Sequence, residues 1–269
     1  MSTPLHPTAV VCLSGGMDST SLMLHLLARG CEVHGVSFDY GQKHVIELER
    51  LHANLEYFNS QGIKVRWNLV DLSSLGPLLD SALTSTDKSV PQGHYAGENM
   101  RATVVPNRNA IFASIAYATA LSLAQSRQTP VSLSLGVHSG DHAIYPDCRP
   151  EFYSALWTAF EIGNWNSELV SMYLPYLEAD KRSILKDAQT SIMKLNLSFE
   201  TVFRNTCTSY LPDAQGRSHG FTGSDVERIL AFADLGLVDP LEYLRPWDEV
   251  VAAARLAQLE YDSRTTQKL

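Results

Sequence analysis

Apolar runs that could form strands alternate with amphipathic stretches along most of the chain. The run at residues 10–13 is followed by a helical pattern from residue 18 to residue 29, with Gly30 as its C-terminal cap. The same pattern predicts strands at residues 31–38, 65–70 and 131–137, a short edge strand at 173–176, and helices at 44–61, 110–124 and 152–163. This order of elements predicts an α/β fold in which helices flank a parallel sheet.

The other stretches have weaker patterns. Residues 71–98 form a long polar connection, which is either a lid or a disordered loop. A further helix begins at residues 180–182, residues 199–225 are irregular, and residues 226–269 are mostly helical with a break at Asp239 and Pro240. We therefore expect a core at residues 1–205 and an irregular and helical C-terminal extension at residues 206–269.

A glycine pair separates the first strand from the first helix, in the string S-G-G-M-D-S at residues 14–19. Glycines let the backbone approach an anion closely, and the hydroxyls of Ser14, Ser19 and Thr20 can donate to phosphate oxygens. The helix N-terminus adds free amide donors, so a phosphate group is the natural occupant. Asp18 either caps this helix or helps to hold a Mg²⁺ that accompanies the phosphates.

A glycine-rich turn between strand and helix occurs in many α/β proteins, so the whole string decides between the interpretations. It lacks the lysine of the G-x-x-x-x-G-K-[ST] loop, and it is not G-x-G-x-x-G. It resembles the signature of the PP-loop ATP pyrophosphatases, which split ATP between the α and β phosphates and leave an acyl-adenylate.

Composition narrows the range of partners. The 269 residues carry a formal net charge of −8 without a block of lysines or arginines, which argues against direct binding of nucleic acid and for a small-molecule substrate. The 4 cysteines form no C-x-x-C pair, so we expect reduced thiols. Residues 1–8 lack the features of a targeting segment and no apolar run reaches membrane-spanning length, so we expect a cytoplasmic protein without a membrane partner.

A series of short strings, in order, resembles the 7-cyano-7-deazaguanine synthase (QueC) family over roughly residues 9–210. These strings are S-G-G-M-D-S-T at 14–20, S-F-D-Y-G-Q at 37–42, S-A-L-T at 81–84, V-P-N-R-N at 105–109, G-V at 136–137 and Y-P-D-C-R-P-E-F at 145–152. The resemblance implies a PP-loop α/β sheet, ATP and Mg²⁺ as cofactors, and 7-carboxy-7-deazaguanine as substrate. Members of the family activate this acid, convert it to an amide with ammonia and dehydrate the amide to a nitrile. We also expect a homodimer.

The resemblance implies three groups of site residues. Those expected in catalysis are Asp18, Ser19, Lys181, Asp141 and Arg108. Those expected to bind the nucleotide are Ser14, Gly15, Gly16, Asp18, Ser19, Thr20, Phe38 and Gln42. Those expected to bind the substrate are Tyr40, Arg108, Asn109, His138, Asp141, Tyr145, Asp147, Arg149 and Glu151.

Chemistry supports these assignments, although each residue also has a structural explanation. Lys181 can neutralise an α-phosphate or can be an ordinary first-turn lysine, while the forked side chains of Arg108 and Arg149 suit a carboxylate, a phosphate or an ion pair. Asp147 and Glu151 can accept hydrogen bonds from the guanine-like edge of a deazapurine, and Asp147 can equally cap a turn. The aromatic rings at positions 38 and 40 can stack on a purine or pack in the core.

The chain departs from the family pattern at its zinc site and in one wall of the substrate pocket. At the positions of the zinc-binding cysteines the chain carries Ser209, His219, Thr222 and Asp225. Serine and threonine are poor zinc ligands, so we expect no zinc. In addition, His138 replaces the usual asparagine, and D-H-A-I-Y at residues 141–145 replaces D-Y-S-G-Y.

Three functions remain open from the sequence. The chain is a QueC-like synthase, or it makes the same adenylate and transfers the deazaguanine to a protein amine, as QueC-like proteins in antiphage defence do. The weaker third possibility is a binding module that has lost catalysis, against which the intact glycine loop argues.

Overall fold

Five parallel strands form the central sheet, in the order β3-β2-β1-β4-β5. The computed structural model describes residues 4–266, and the strands are β1 (Thr8–Cys12), β2 (Glu32–Asp39), β3 (Arg66–Asp71), β4 (Val131–Ser134) and β5 (Val170–Met172). In the middle of the sheet Val10 pairs with His34 of β2 and with Leu133 of β4. The predicted α/β class is therefore confirmed, and the carboxyl ends of all the strands meet at one edge of the sheet.

Eight helices are described, and those packed on the sheet cover both of its faces. They are α1 (Met17–Ala28), α2 (Ile46–Ser60), α3 (Arg108–Arg127), α4 (Pro150–Gly163), α5 (Lys181–Lys194), α6 (Phe199–Arg204), α7 (Gly223–Asp234) and α8 (Trp247–Thr266). Alternation along β1 separates the two cores: Ala9 and Val11 pack with α1 and α5, whereas Val10 packs with α3. A strand that is buried on both faces reads as a continuous apolar run, as this one does.

Helix α3 approaches the sheet through small side chains. Ala113, Ala116, Ala120 and Ala124 are fully buried at helical spacing. Because alanine is small, the helix axis can come close to the strands without a cavity between them. This packing fixes the start of α3 at the carboxyl edge of the sheet, beside the glycine loop.

Some predicted elements were misplaced. The edge strand is residues Val170–Met172 rather than residues 173–176, and residues 199–225, predicted to be irregular, contain α6 and the start of α7. The connection at 71–98 is not a disordered loop, because it includes the 3₁₀ turn Ser73–Leu78 and buries Ala82 and Leu83 completely. The propensities of these segments are weak, so contacts with the rest of the fold determine their conformation.

The C-terminal residues pack on the core through helix α7. Arg228 of α7 is fully buried and makes two hydrogen bonds to the carboxylate of Asp239, of 2.6 and 2.8 Å. The same guanidinium donates to the carbonyl of Phe203 and to the hydroxyl of Thr206. The bond to Phe203 crosses the boundary at residue 205, and the division of the chain at that point stays a prediction. None of the helices described is both long and apolar enough to span a bilayer.

Candidate active site

The glycine loop between β1 and α1 closes one end of a cavity at the carboxyl edge of the sheet. Gly15 has φ +90°, and a Cβ at this position would lie 2.0 Å from the carbonyl oxygen of Glu47, so only glycine fits. The hydroxyls of Ser14 and Ser19 lie 3.0 Å apart, and the amide of Gly16 donates to the Ser14 hydroxyl. The first intrahelical bond runs from Thr20 to Gly16, so the amides of Asp18 and Ser19 have no acceptor within the helix, whereas that of Met17 donates to the Thr208 hydroxyl.

Not every residue of the loop faces the cavity. Ser14, Gly16, Asp18 and Ser19 line it. The hydroxyl of Thr20 is buried on the other side of the helix turn and has no hydrogen-bond partner among the described residues. The predicted role of Thr20 in binding the nucleotide stays a prediction.

Lys181 and Asp18 form the centre of a buried group of charges. The Lys181 ammonium lies 3.0 Å from the Asp18 carboxylate and 2.7 Å from that of Glu227. Burial by itself would lower the pKa of Lys181, but these carboxylates raise it above its ordinary value. Burial raises the pKa of Asp18, and the charges of Lys181 and His138 more than reverse this, so the carboxyl is ionised. Asp18 and Lys181 therefore stay charged at neutral pH.

His138 joins the same group. Its imidazole lies 3.5 Å from the Asp141 carboxylate, 3.7 Å from Asp18 and 3.7 Å from Glu227, and its Nδ1 accepts the amide of Gly140. Burial lowers the pKa of His138, but the surrounding carboxylates raise it above 6.5. The structure thus brings Asp18, Asp141 and Lys181 together with His138, at whose position the family has asparagine, and the roles of these residues stay predictions.

Arg108 forms the opposite wall. It lines the cavity, and no carboxylate within residues 4–266 lies within ion-pair distance of its guanidinium. Burial lowers its pKa, and the neighbouring hydroxyls of Tyr40, Tyr210 and Tyr145 raise it, so the side chain remains a cation. A half-buried guanidinium that faces no carboxylate among the described residues favours an anionic group of a ligand.

Aromatic rings and amides complete this wall. Phe38 stacks on Phe112 with ring centroids 4.1 Å apart, and Tyr40 meets the same ring edge-on. The Tyr145 hydroxyl bonds with that of Thr103, at 2.5 Å. All of these residues except Thr103 line the cavity, as does Asn109.

Besides Gly15 and Thr20 of the loop, four predicted site residues lie outside the cavity lining. Gln42 holds the end of β2, because its side chain accepts the amide of Tyr40 and donates to the carbonyl of Phe38. Asp147 accepts the amide of Asn109 and so contacts the start of α3. Arg149 is exposed and donates to the carbonyl of His142, and Glu151 is exposed in the first turn of α4. Direct roles of these residues in binding stay predictions.

Three of the four positions at which the family has zinc ligands form a hydrogen-bonded cluster. The Asp225 carboxylate accepts the hydroxyls of Ser209 (3.1 Å) and Thr222 (2.6 Å), the amide of Thr222, and the hydroxyl of Ser218 (2.7 Å). Thr222 and Asp225 form a capping box at the start of α7. The fourth position, His219, stacks on Phe221 instead.

Sequence reasoning missed several residues of the site. Glu227 is a lone glutamate in a helical stretch, which carries no signal by itself. His44 and Glu47 lie one helical turn apart just after the matched string at 37–42, a spacing that could have suggested a shared site. Tyr95 and Met100 come from the connection between β3 and α3, which therefore covers one side of the cavity.

A parallel sheet whose first strand leads through S-G-G-x-D-S into a helix N-terminus is the arrangement of PP-loop proteins, and this chain is one of them. The profile of the family described as "Queuosine biosynthesis protein QueC" matches residues 8–236. The chain is 41% identical to the 7-cyano-7-deazaguanine synthase of Methanoregula boonei, an alignment that covers 87% of this chain and 98% of that protein. Identity to the 7-cyano-7-deazaguanine synthase of Marinomonas sp. is 39%, with 87% and 97% covered. The chain belongs to the QueC family.

Among solved structures, an NMN synthetase from Francisella tularensis aligns over 92% of this chain and 83% of its own, with 11% identity and a TM-score of 0.38. A likeness at this level adds nothing to the assignment.

Proposed function

We propose that the protein adenylates the carboxylate of a 7-carboxy-7-deazaguanine-type acid with ATP and passes the activated acyl group to a nitrogen nucleophile. One observation carries the proposal: the glycine loop and Arg108, whose guanidinium faces no carboxylate in the described part of the chain, line the same cavity. The relatives named above are synthases of 7-cyano-7-deazaguanine, and the chain aligns with nearly their whole length.

In the first step, adenylation of the acid, negative charge develops on the phosphates, beside the glycine loop and the cationic side chains. A carboxylate oxygen of the acid attacks the α-phosphorus, the bond from that phosphorus to the bridging oxygen breaks, and pyrophosphate leaves. Amides at the start of α1, with the hydroxyls of Ser14 and Ser19, would hold the phosphates. Lys181 would stabilise the charge that develops on the α-phosphate, and Arg108 would orient the carboxylate.

Asp18 fits a divalent cation that accompanies the phosphates. Its Oδ1 is buried and accepts no hydrogen bond within the described part of the chain, while its Oδ2 faces Lys181. No set of three or more His, Cys, Asp or Glu side chains surrounds one metal position in residues 4–266, but Mg²⁺ carried by ATP needs only one or two carboxylates. When bound, Mg²⁺ neutralises negative charge on the phosphates.

In the second step the nitrogen nucleophile attacks the acyl carbon, the bond to the AMP oxygen breaks, and AMP leaves with that oxygen. The nitrogen must lose a proton as the amide forms. His138 and Asp141, which line the cavity beside Lys181, are the groups that would take it. A second ATP would adenylate the amide oxygen with loss of pyrophosphate, and departure of AMP with that oxygen, together with loss of the nitrogen's protons, would give the nitrile.

The reaction is tested by mass spectrometry and nucleotide analysis on ATP, Mg²⁺ and 7-carboxy-7-deazaguanine, with and without ammonia. We expect AMP and pyrophosphate, together with an amide or nitrile product when ammonia is present. If AMP forms while ammonia leaves the acid unconverted, a deazaguanine acyl group found on a protein by intact-mass analysis would favour a protein amine as the acceptor. ADP as the main product would contradict the proposal.

Variants of the loop sharpen this test. Asp18→Ala and Ser19→Ala should nearly abolish AMP formation. Asp248→Ala is the matched control, because Asp248 also lies in the first turn of a helix but is exposed and outside the cavity. Loss of AMP formation in the control as well would show that the effect is not specific to the loop.

We also propose that the protein folds and binds nucleotide without zinc. The hydroxyls of Ser209 and Thr222 already bond to the Asp225 carboxylate, so this cluster fixes the start of α7 by itself. Elemental analysis checks this: one zinc per chain, with unfolding upon chelation, would overturn it. The expected homodimer stays a prediction, which sedimentation would test.

A further inference from the structure

Glu227, in helix α7 of the C-terminal part of the chain, places its carboxylate in the buried group of charges around Lys181 and Asp18. It is only 8% exposed, and its Oε2 lies 2.7 Å from the Lys181 ammonium. Its Oε1 lies 3.7 Å from Nδ1 of His138. Gly140 leaves room for this approach, because a Cβ there would lie 2.2 Å from Oε1 of Glu227. The glutamate thus forms an ion pair with Lys181 and lies beside His138.

The residues around Glu227 hold it rigidly. Two positions earlier, Asp225 binds three hydroxyls and closes the loop before α7. At the next position, Arg228 is bonded to Asp239 and to the carbonyl of Phe203. Because the helix is fixed on both sides of Glu227, its carboxylate cannot easily move away when a ligand enters the cavity.

The carboxylates around Lys181 affect how strongly the site can bind a phosphate. The ammonium lies between two carboxylates, those of Asp18 and Glu227, and Asp141 adds a third carboxylate beside His138. Glu227 therefore competes with an incoming phosphate for Lys181 and adds negative charge to the wall of a site that receives a polyanion.

We propose that Glu227 is a positioning residue: it holds Lys181 in its working geometry and weakens the binding of ATP in return. The C-terminal part of the chain thereby completes the active site. The expected effect of Glu227 on turnover rests on the proposed function. The expected effect on ATP binding concerns the nucleotide alone.

The test separates binding from turnover. Glu227→Gln keeps the size and a hydrogen bond but removes the charge, so α,β-methylene-ATP with Mg²⁺ should bind about threefold to tenfold more tightly in calorimetry. The kcat for AMP formation should fall about tenfold, because Lys181 is no longer held between two carboxylates. Glu227→Asp keeps the charge and shortens the reach, so kcat should fall without tighter binding. Glu242→Gln is the control, since Glu242 is an exposed glutamate of the same part of the chain.

Each outcome has a distinct meaning. If Glu227→Gln binds the analogue with the same affinity as the wild-type protein, the inference is overturned. Equal losses of kcat in both variants without a change in binding would also overturn it, because they would indicate a general loss of folded protein. If the wild-type protein forms no AMP from the deazapurine acid, the proposed function fails, while the calorimetry still reports on Glu227.

Discussion

Replacing Glu47 with glutamine should stabilise the protein at neutral and mildly alkaline pH. Glu47, in the first turn of α2, is 7% exposed, and its carboxyl is 3.4 Å from the Gln42 amide and 3.6 Å from His44. Burial raises the pKa of Glu47 to about 8, with only partial compensation by Arg108. Burial lowers the pKa of His44 to about 3, so this neighbour is neutral and provides no counter-charge.

The size of the effect follows from proton linkage. With a pKa of 4.5 in the unfolded chain and about 8 in the folded protein, Glu47 releases a proton on unfolding between these pH values. The folded state binds more protons there, so the contribution of Glu47 to stability is fully present below pH 4.5 and is lost as the pH rises towards 8. Each pH unit in this window lowers the free energy of unfolding by about 1.4 kcal/mol, which gives about 2.5 kcal/mol between roughly pH 5.5 and 7.5.

Urea unfolding of the wild-type protein and Glu47→Gln at these two pH values measures this directly. The difference in unfolding free energy between the variant and the wild type should grow by about 2.5 kcal/mol from the lower to the higher pH, because glutamine does not titrate. Other titrating groups, His44 included, are common to both proteins and cancel. Glu49→Gln, at an exposed position of the same helix, should show no such trend. Parallel stability curves for Glu47→Gln and the wild type would refute the reasoning.

Further predictions concern the loop, the substrate wall and the C-terminal anchor. Gly15→Ala should abolish binding of ATP, because its Cβ would collide with a backbone carbonyl at 2.0 Å; unchanged calorimetry would contradict the loop geometry. Arg108→Ala should weaken 7-carboxy-7-deazaguanine binding by about 1.5–3 kcal/mol, more than it weakens ATP and more than Arg149→Ala does; the reverse order would place the substrate elsewhere. Arg228→Ala should destabilise the fold by about 3–5 kcal/mol in urea, since it leaves Asp239 buried and unpaired, and a loss below about 1 kcal/mol would show that the pair is dispensable.

Local patterns were enough to predict the framework of the site. The glycine loop depends on a steric requirement within a few residues, and the strands and helices around it follow from the periodicity of apolar positions, so both could be inferred from neighbouring residues alone. Lys181 and Arg108 were expected from the resemblance to the family, and the structure places both on the wall of the cavity.

Only the tertiary structure decided which charged groups share the cavity. Asp147 and Glu151 suited a guanine-like edge on chemical grounds, yet Asp147 contacts the start of α3 and Glu151 faces outwards. Glu227, which no pattern singled out, lies against Lys181. The physical reason is that apolar periodicity reports which face of an element is buried, whereas the partner of a buried charge depends on how distant elements pack, and that is determined by the whole core at once.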